Sequence, residues 1–439
     1  MVKRKHSPIT SIVLSFLIVI LIGTVFLLLP ISLKEGQHIS FVDALFTSVS
    51  AVCVTGLVPV PSIAETFNVF GKIVLAILMQ VGGLGFVTIA IFILVAFGAR
   101  VGIANRYLAK EALNQSSTSG IVKLIILVIK TTFTIEFIGF ILNFIVFIQD
   151  YTFWDAVGVS LFHSISAFNN CGMDIIGAES LLKYKDSILL NISTTLMIIL
   201  GGLGFVVLQD IKEKKNWKKL LPHSKIVITV TLSLIVGGTL MLKFSEWGNI
   251  SWLQAFFQSV SSRTAGFSTM TFASIRESTA CIFIFLMFVG ASPSSTGGGI
   301  KTTTFYTMVK SIFAFATGKK ALTYNRKISE DTKLRAFTLA TIALSAIGFA
   351  TTLILLIEKD SSIFNLRTVF FEVTSAFGTV GLSLGITSQL SYASKLILCL
   401  VMFLGRLGPL TIFSLWNKNW NRFCEDDDVD YIPAKIIIG

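Results

Sequence analysis

Charge is scarce in this chain: Asp, Glu, Lys and Arg make up 14% of 439 residues. A soluble domain of ordinary surface polarity carries roughly twice that share, about 25%. Cysteine is thin as well, with Cys53, Cys171, Cys281, Cys399 and Cys424 and no Cys-x-x-Cys pair. That gives no support to a disulfide framework or a zinc site. His6, His38, His163 and His223 have no metal-ligand spacing, so no transition-metal site is expected. No catalytic dyad, nucleophile elbow or metalloprotease motif occurs, and the chain does not read as an enzyme. Long polar stretches are missing too. The loops between apolar runs leave no room for a nucleotide-binding domain, so any regulation has to come from another chain.

What is plentiful is apolar. With 53% hydrophobic residues and a mean hydropathy of +0.80, the chain belongs in a bilayer. The net charge of +12, from 36 basic and 24 acidic residues, would fit nucleic acid only with a basic face on a soluble fold. Here the basic residues sit between apolar runs, where they orient membrane spans and can face anionic lipid. No nucleic-acid partner is expected.

Eight apolar segments are long enough to cross a hydrocarbon layer of about 30 Å: 9–33, 68–98, 121–149, 187–209, 225–243, 278–316, 335–357 and 393–416. The first follows Lys3-Arg4-Lys5 but ends in Leu-Pro-Ile-Ser, not in a small-residue cleavage site, and reads as a retained helix. Between the members of each consecutive pair lies a shorter amphipathic stretch, starting at Phe41, Phe153, Trp252 and Asn365. These are too short to span and suit re-entrant helices.

After each short stretch the chain repeats itself. Ser50-Ala51-Val52-Cys53-Val54-Thr55-Gly56, Ser166-Ala167-Phe168-Asn169-Asn170-Cys171-Gly172, Val260-Ser261-Ser262-Arg263-Thr264-Ala265-Gly266 and Ser375-Ala376-Phe377-Gly378-Thr379-Val380-Gly381 align without gaps. A second mark follows in the next helix. Gly82, Gly201, Gly290 and Gly405 trail the loop glycines by 26, 29, 24 and 24 residues. Two marks in register predict four repeats, 1–100, 101–220, 221–330 and 331–439. The expected fold is an all-α integral membrane protein with eight transmembrane helices and four re-entrant pore helices in pseudo-fourfold symmetry. Basic residues flank alternate connections: Lys3 to Lys5; Arg100, Arg106 and Lys110; Lys212 to Lys219; Lys319 to Arg335. All fall on one side, so both termini are expected to be cytoplasmic and the short helices to enter from outside.

Irregular backbone survives at membrane depth only where it lines protein or water. A ring of four such loops (Val54, Thr55, Gly56; Asn170, Cys171, Gly172; Thr264, Ala265, Gly266; Thr379, Val380, Gly381) would turn carbonyls toward one axis and replace the water shell of a monovalent cation. Inward-pointing helix C-termini add partial negative charge. Arg263 would oppose cations if it faced the axis, so it is expected to brace neighbouring carbonyls.

The sixth apolar segment is interrupted by Gly290-Ala291-Ser292-Pro293-Ser294-Ser295-Thr296-Gly297-Gly298-Gly299, followed by Ile300 and Lys301. Proline and successive glycines cannot hold an α-helix. A phosphate-binding loop finds little support, because Ile300 stands where that motif needs glycine and no flanking strand is credible. The segment is expected to plug the pore, with a passive linker as the alternative. Arg406, a charge inside an apolar helix, should face the pore or bond this segment. Glu136 fits a coupling-ion or proton site less well than an internal pair, for which Lys130 is a candidate. Gly82, Gly83, Gly201 and Gly202 read as close-packing positions.

These loops, with Ser262-Arg263-Thr264-Ala265-Gly266-Phe267, Ser375 to Leu382 and Gly-Gly-Leu-Gly-Phe at 82–86 and 201–205, resemble the Trk/Ktr/HKT superfamily of potassium uptake proteins, especially the bacterial Ktr membrane subunit. The resemblance covers nearly the whole chain. It implies potassium as the transported ion, sodium as a candidate activator and no bound cofactor. It also implies a gate at Gly290 to Gly299 with Lys301 and Arg406, a cytosolic nucleotide-binding ring as partner, and a homodimer in the cell membrane. In that superfamily serine in the first loop accompanies sodium permeation; Gly56 therefore implies potassium. The apolar tail Tyr431 to Gly439, after the acidic run Glu425 to Asp428, is expected at the dimer interface. The competing reading is a sodium-coupled secondary transporter with alternating access, expected to show inverted repeats and midplane carboxylates.

Overall fold

The computed structural model describes residues 8–408, except 114, 116, 178, 273, 360 and 361. Lys3 to Lys5, Cys424, the run Glu425 to Asp428, the tail Tyr431 to Gly439 and the end of the eighth apolar segment lie outside the described residues.

The elements recur in order. α1 (Pro8–Leu28), the short α2 (Phe41–Val52), the single turn α3 (Ile63–Thr66), α4 (Val69–Leu84), α5 (Phe86–Ala96) and α6 (Ile103–Ala112) come first. Next are α7 (Ile121–Phe147), the short α8 (Phe153–Phe168), α9 (Ile188–Leu203) and α10 (Phe205–Lys214). Then follow α11 (Pro222–Ser245), the short α12 (Trp252–Ser261), α13 (Glu277–Phe288) and α14 (Thr302–Ala316), with a small hairpin pairing Leu322–Thr323 with Arg326–Lys327. α15 (Glu330–Ile357), the short α16 (Leu366–Gly378) and α17 (Tyr392–Leu407) complete the series.

α1, α7, α11 and α15 are long and apolar enough to cross a membrane. Their outer faces carry exposed Leu17, Leu21, Phe133, Phe137, Leu232, Val236, Leu344 and Phe349, which suits lipid contact. The short helices are the reverse and bury hydroxyls: Ser48 and Ser50, Ser164 and Ser166, Ser259 and Ser261, Thr374 and Ser375.

Each short helix begins at a residue whose side chain accepts a backbone N–H of the first turn. Ser40 accepts from Asp43, Thr152 from Asp155, Ser251 from Gln254 and Asn365 from Thr368, the last two as reciprocal capping boxes. Such a cap stabilises a helix start by about 1 kcal/mol, enough to fix where a helix of 10 to 16 residues begins.

The second and fourth apolar segments, expected as continuous helices, are not continuous. α4 and α5 meet at 95° and α9 and α10 at 96°. The break falls on Gly85 (φ 81°) and Gly204 (φ 90°), where left-handed backbone ends one helix and starts the next. A hydropathy window sees apolar residues on both sides and no boundary between them. α17 ends the same way at Gly408 (φ 84°). The sixth segment is broken as expected, with irregular chain from Val289 to Lys301 between α13 and α14.

The packing is cyclic. α4 lies against α8, α9 against α12, α13 against α16, and α17 returns to α2. The short helices are thereby gathered around one centre, with their C-terminal ends buried there.

Candidate functional site

At the centre, the four glycine-ended loops close on one another. A β-carbon at Gly56 would strike the carbonyl of Cys171, at Gly172 that of Ala265, at Gly266 that of Val380, and at Gly381 that of Thr55. Each loop thus presents its glycine to the carbonyl just before the glycine of the next, and the fourth returns to the first. The glycines are also left-handed, with φ of 91°, 76°, 78° and 93°, so two independent constraints work against larger residues.

Loops one and four share one hydrogen-bond pattern. Thr55 N donates to Ser50 O at 2.8 Å and Gly56 N to Ser50 Oγ at 3.0 Å; Val380 N donates to Ser375 O at 2.9 Å and Gly381 N to Ser375 Oγ at 3.1 Å. Loop two keeps the first bond, Cys171 N to Ser166 O at 2.9 Å, while Ser166 Oγ has no partner among the described residues. Val54, Asn170 and Thr379 all take positive φ, from 50° to 58°.

Loop three departs. Val260 stands where the others have serine, so Ala265 N and Gly266 N both turn to Ser261 O, at 2.8 and 3.1 Å. Ser261 Oγ donates to Phe267 O at 2.6 Å, and Thr264 adopts φ 157°.

On one side the ring opens into a cavity of about 280 Å³ lined by Gly56, Gly172, Gly266, Gly381 and Asp174. On the other lies the Val289–Lys301 segment. Gly298 N donates to Thr379 Oγ1 at 2.9 Å, Gly297 packs on Thr264, and Thr296 Oγ1 donates to Phe168 O at 3.2 Å. Ser292 N and Thr296 N donate to Gly202 O and Gly201 O at 3.0 and 3.2 Å, and Gly299 N to Gly405 O at 3.3 Å. Ser294 O accepts from Phe205 N at 2.9 Å, while Ser294 Oγ donates to Leu113 O at 2.7 Å. The segment therefore spends its polar groups on the ends of α8, α9 and α17. Pro293 lies over Gly204, Ser295 Oγ donates to Ser292 O at 2.6 Å, and Gly290 N and Ala291 N close the segment on Ile300 O and Gly298 O at 2.9 and 3.3 Å.

Three cations hold this layer. Lys301 Nζ donates to Gly297 O at 2.8 Å and Gly298 O at 3.3 Å. Arg406 donates through Nη1 to Thr296 O and through Nη2 to Gly82 O at 2.5 Å and Gly83 O at 2.9 Å. Arg263 Nη2 donates to Gly290 O at 3.2 Å, in line with a bracing geometry. Buried guanidinium groups require such partners, since an unpaired buried charge costs several kcal/mol, of order 3–5.

All twelve loop residues expected from sequence lie in the ring, and the segment residues with Lys301 and Arg406 lie together beneath it. Gly82 and Gly201 are close-packing positions against Val52 O and Phe168 O. Glu136 does not meet Lys130. Gln80 Nε2 and Asn169 Nδ2 donate to it instead, each at 3.2 Å, because a helix places Lys130 and Glu136 on different faces. Sequence reasoning missed the carbonyls of Gly82 and Gly83 as Arg406 acceptors. The signal was available: Arg406 occupies the position that Gly83 and Gly202 hold in their own units. No group of histidine, cysteine, aspartate and glutamate suited to a metal occurs among the described residues.

A family model described as TrkH, cation transport protein, matches residues 3–227 and 220–419. The chain belongs to this family. Its relatives include the Potassium/sodium uptake protein NtpJ of Enterococcus hirae, 35% identical over 100% of this chain and 98% of that protein. The Ktr system potassium uptake protein B of Bacillus subtilis is 35% identical over 99% and 97%, and that of Vibrio alginolyticus 36% over 93% and 91%. In fold, the TrkH-family chain superposes on the crystal structure of the potassium transporter TrkH from Vibrio parahaemolyticus with a TM-score of 0.74, covering 95% of this chain and 87% of that one at 19% identity. This TrkH-family chain is thus a predominantly helical, multi-pass membrane protein of a potassium uptake family, whose relatives are ion transport proteins.

Proposed function

We propose that the ring of four loops is a potassium selectivity filter in a single-chain pore. The observation that carries this reading is the cyclic contact of Gly56, Gly172, Gly266 and Gly381 with the carbonyls of the neighbouring loops. Such a ring offers an ion carbonyl oxygens in place of its hydration shell without fixed charge. The C-terminal ends of α2, α8, α12 and α16 add partial negative charge that favours cations. On this reading 1–100, 101–220, 221–330 and 331–439 are four parallel repeats. They contribute eight spans and four re-entrant helices, with both termini cytoplasmic and the 280 Å³ cavity as the outer mouth.

The Val289–Lys301 segment is the gate. It lies against the inner side of loops three and four, and Arg406 ties it to α4. Potassium moves inward along the membrane potential when this tie releases. Release is driven by a cytosolic nucleotide-binding ring; support for a partner comes from relatives named as members of a Ktr system. A homodimer of pore subunits completes the assembly, and sodium acts as an activator. Alternating access finds less support, because the units run in one orientation and close a ring instead of forming an inverted pair. Expression with its partner in a bacterium lacking potassium uptake should restore growth at low potassium. Failure to restore it, with the protein present in the membrane, contradicts the assignment.

A further inference from the structure

Far from the ring, where α14 ends and α15 begins, the structure leaves a groove of about 920 Å³. Its floor is apolar. Ile312 and Phe315 line it from α14, Leu334 and Phe337 from α15, and on each helix the pair is three residues apart and so lies on one stripe. Phe315 is 92% exposed, an arrangement that water disfavours and acyl chains accept.

The rim is basic. Its two carboxylates are answered within their own helix, Glu330 by Lys333 at 2.9 Å and Asp331 by Arg335 at 3.0 Å. Lys319, Lys320 and Lys327 line the same groove and make no ion pair among the described residues, so three positive charges are left over. They are held in place. The hairpin turns at Tyr324 and Asn325, both with positive φ as a two-residue turn of this kind requires, and Ile328 N donates to Ala321 O at 3.0 Å. Thr323 Oγ1 donates to Tyr306 OH of α14 at 3.4 Å, and Lys225 Nζ of α11 lies 5.4 Å from the centre of the Tyr324 ring.

We propose that this groove binds an anionic phospholipid, with the phosphate on Lys319, Lys320 and Lys327 and the acyl chains along Ile312, Phe315, Leu334 and Phe337. Both halves of the groove are needed to choose this ligand. A soluble anion would use the rim and leave Phe315 in water, and a zwitterionic lipid would cover the floor and leave the surplus charge of the rim unanswered. The height is right as well. α15 is long and apolar enough to cross a membrane, and the groove lies at its start, where headgroups stand. A lipid seated there joins α14 to α15 and stabilises the fold. The inference concerns the bilayer side of the molecule and stands whether or not the ring selects potassium.

The test is thermal unfolding of the purified full chain in a neutral detergent, with phosphatidylglycerol, phosphatidylcholine or inorganic phosphate added in steps. Wild type should show a saturable rise in midpoint with phosphatidylglycerol, at a several-fold lower fraction of lipid than with phosphatidylcholine. The combined Lys319→Gln, Lys320→Gln and Lys327→Gln variant should need at least about tenfold more phosphatidylglycerol for the same rise, since each lysine near an anionic headgroup contributes about 1 kcal/mol. Its response to phosphatidylcholine should not change. If that variant does not fold, Lys320→Gln alone must still weaken the phosphatidylglycerol response. Lys215→Gln, Lys218→Gln and Lys219→Gln, which remove the same charge from another connection, should leave it intact. Equal responses of wild type to the two lipids, or an equal loss in the second triple variant, overturn the proposal. So does a shift with inorganic phosphate that matches the lipid. A lipid response that emerges only after Glu425→Gln, Asp426→Asn, Asp427→Asn and Asp428→Asn assigns the groove to the chain's own acidic run and also overturns it.

Discussion

The ring and the layer beneath it are built from the same repeat but obey it differently. In the ring, loops one and four match bond for bond, and loop two keeps their backbone angles. Loop three differs where Val260 replaces serine. Beneath the ring, the inner helices of the first two units turn at Gly85 and Gly204, that of the third is interrupted from Val289 to Lys301, and α17 ends at Gly408, the last described residue. A break is therefore shared by the first three units, and what is particular to the third is its length. A short break re-aims a helix; a long one supplies a segment with enough polar groups to bond the ends of α8, α9 and α17. On the proposed function, selection of the ion belongs to the part that keeps the repeat and control of its passage to the part that departs from it.

The hardest way to break this division is to remove the departure. Deleting Ser292 to Gly298 should raise basal rubidium flux into liposomes at least tenfold, a barrier change of about 1.4 kcal/mol; unchanged or lower flux in a folded variant contradicts the gate. Gly56→Ser acts on the ring and should lower the potassium-to-sodium permeability ratio by about tenfold, as one weakened carbonyl position of about 1.4 kcal/mol implies. An unaltered ratio would separate selectivity from the loop glycines. Arg406→Gln cuts the tie to Thr296, Gly82 and Gly83 and should raise flux several-fold, with Arg263→Gln smaller because among the described residues Arg263 bonds one carbonyl, that of Gly290. Equal effects of the two would deny Arg406 its special place.

The smallest effect sharpens the contrast within the ring. Ser375→Ala leaves Gly381 N without its hydroxyl partner and should cost about 1–3 kcal/mol in thermal unfolding. The reciprocal Val260→Ser supplies a hydroxyl that loop three does not use, since Gly266 N already bonds Ser261 O, and should change stability little. A gain as large as the Ser375→Ala loss would show that loop three can adopt the common pattern.

Much of this was legible in residues. Three short helices start where the sequence placed them, at Phe41, Phe153 and Trp252, and the fourth starts at Leu366 with Asn365 as its cap; the ring follows from the gap-free loops. The bends at Gly85 and Gly204 were not legible, because hydropathy carries no information on φ and a glycine in an apolar run reads equally as a packing position. Both roles are present in one motif: Gly82 packs on Val52 O, and Gly85 ends the helix. The partners of Glu136 were hidden for another reason. Lys130 is near it in sequence, whereas Gln80 and Asn169 are brought to it only by the packing of α4 and α8 around α7.

The division between ring and gate is tested most directly by the reversal potential under opposed potassium and sodium gradients, for wild type and for the Ser292 to Gly298 deletion in the same bilayer. The account predicts one reversal potential near the potassium equilibrium value for both, with more current through the deletion. A reversal potential that moves toward the sodium value in the deletion would show that the segment selects the ion as well, and would contradict the account.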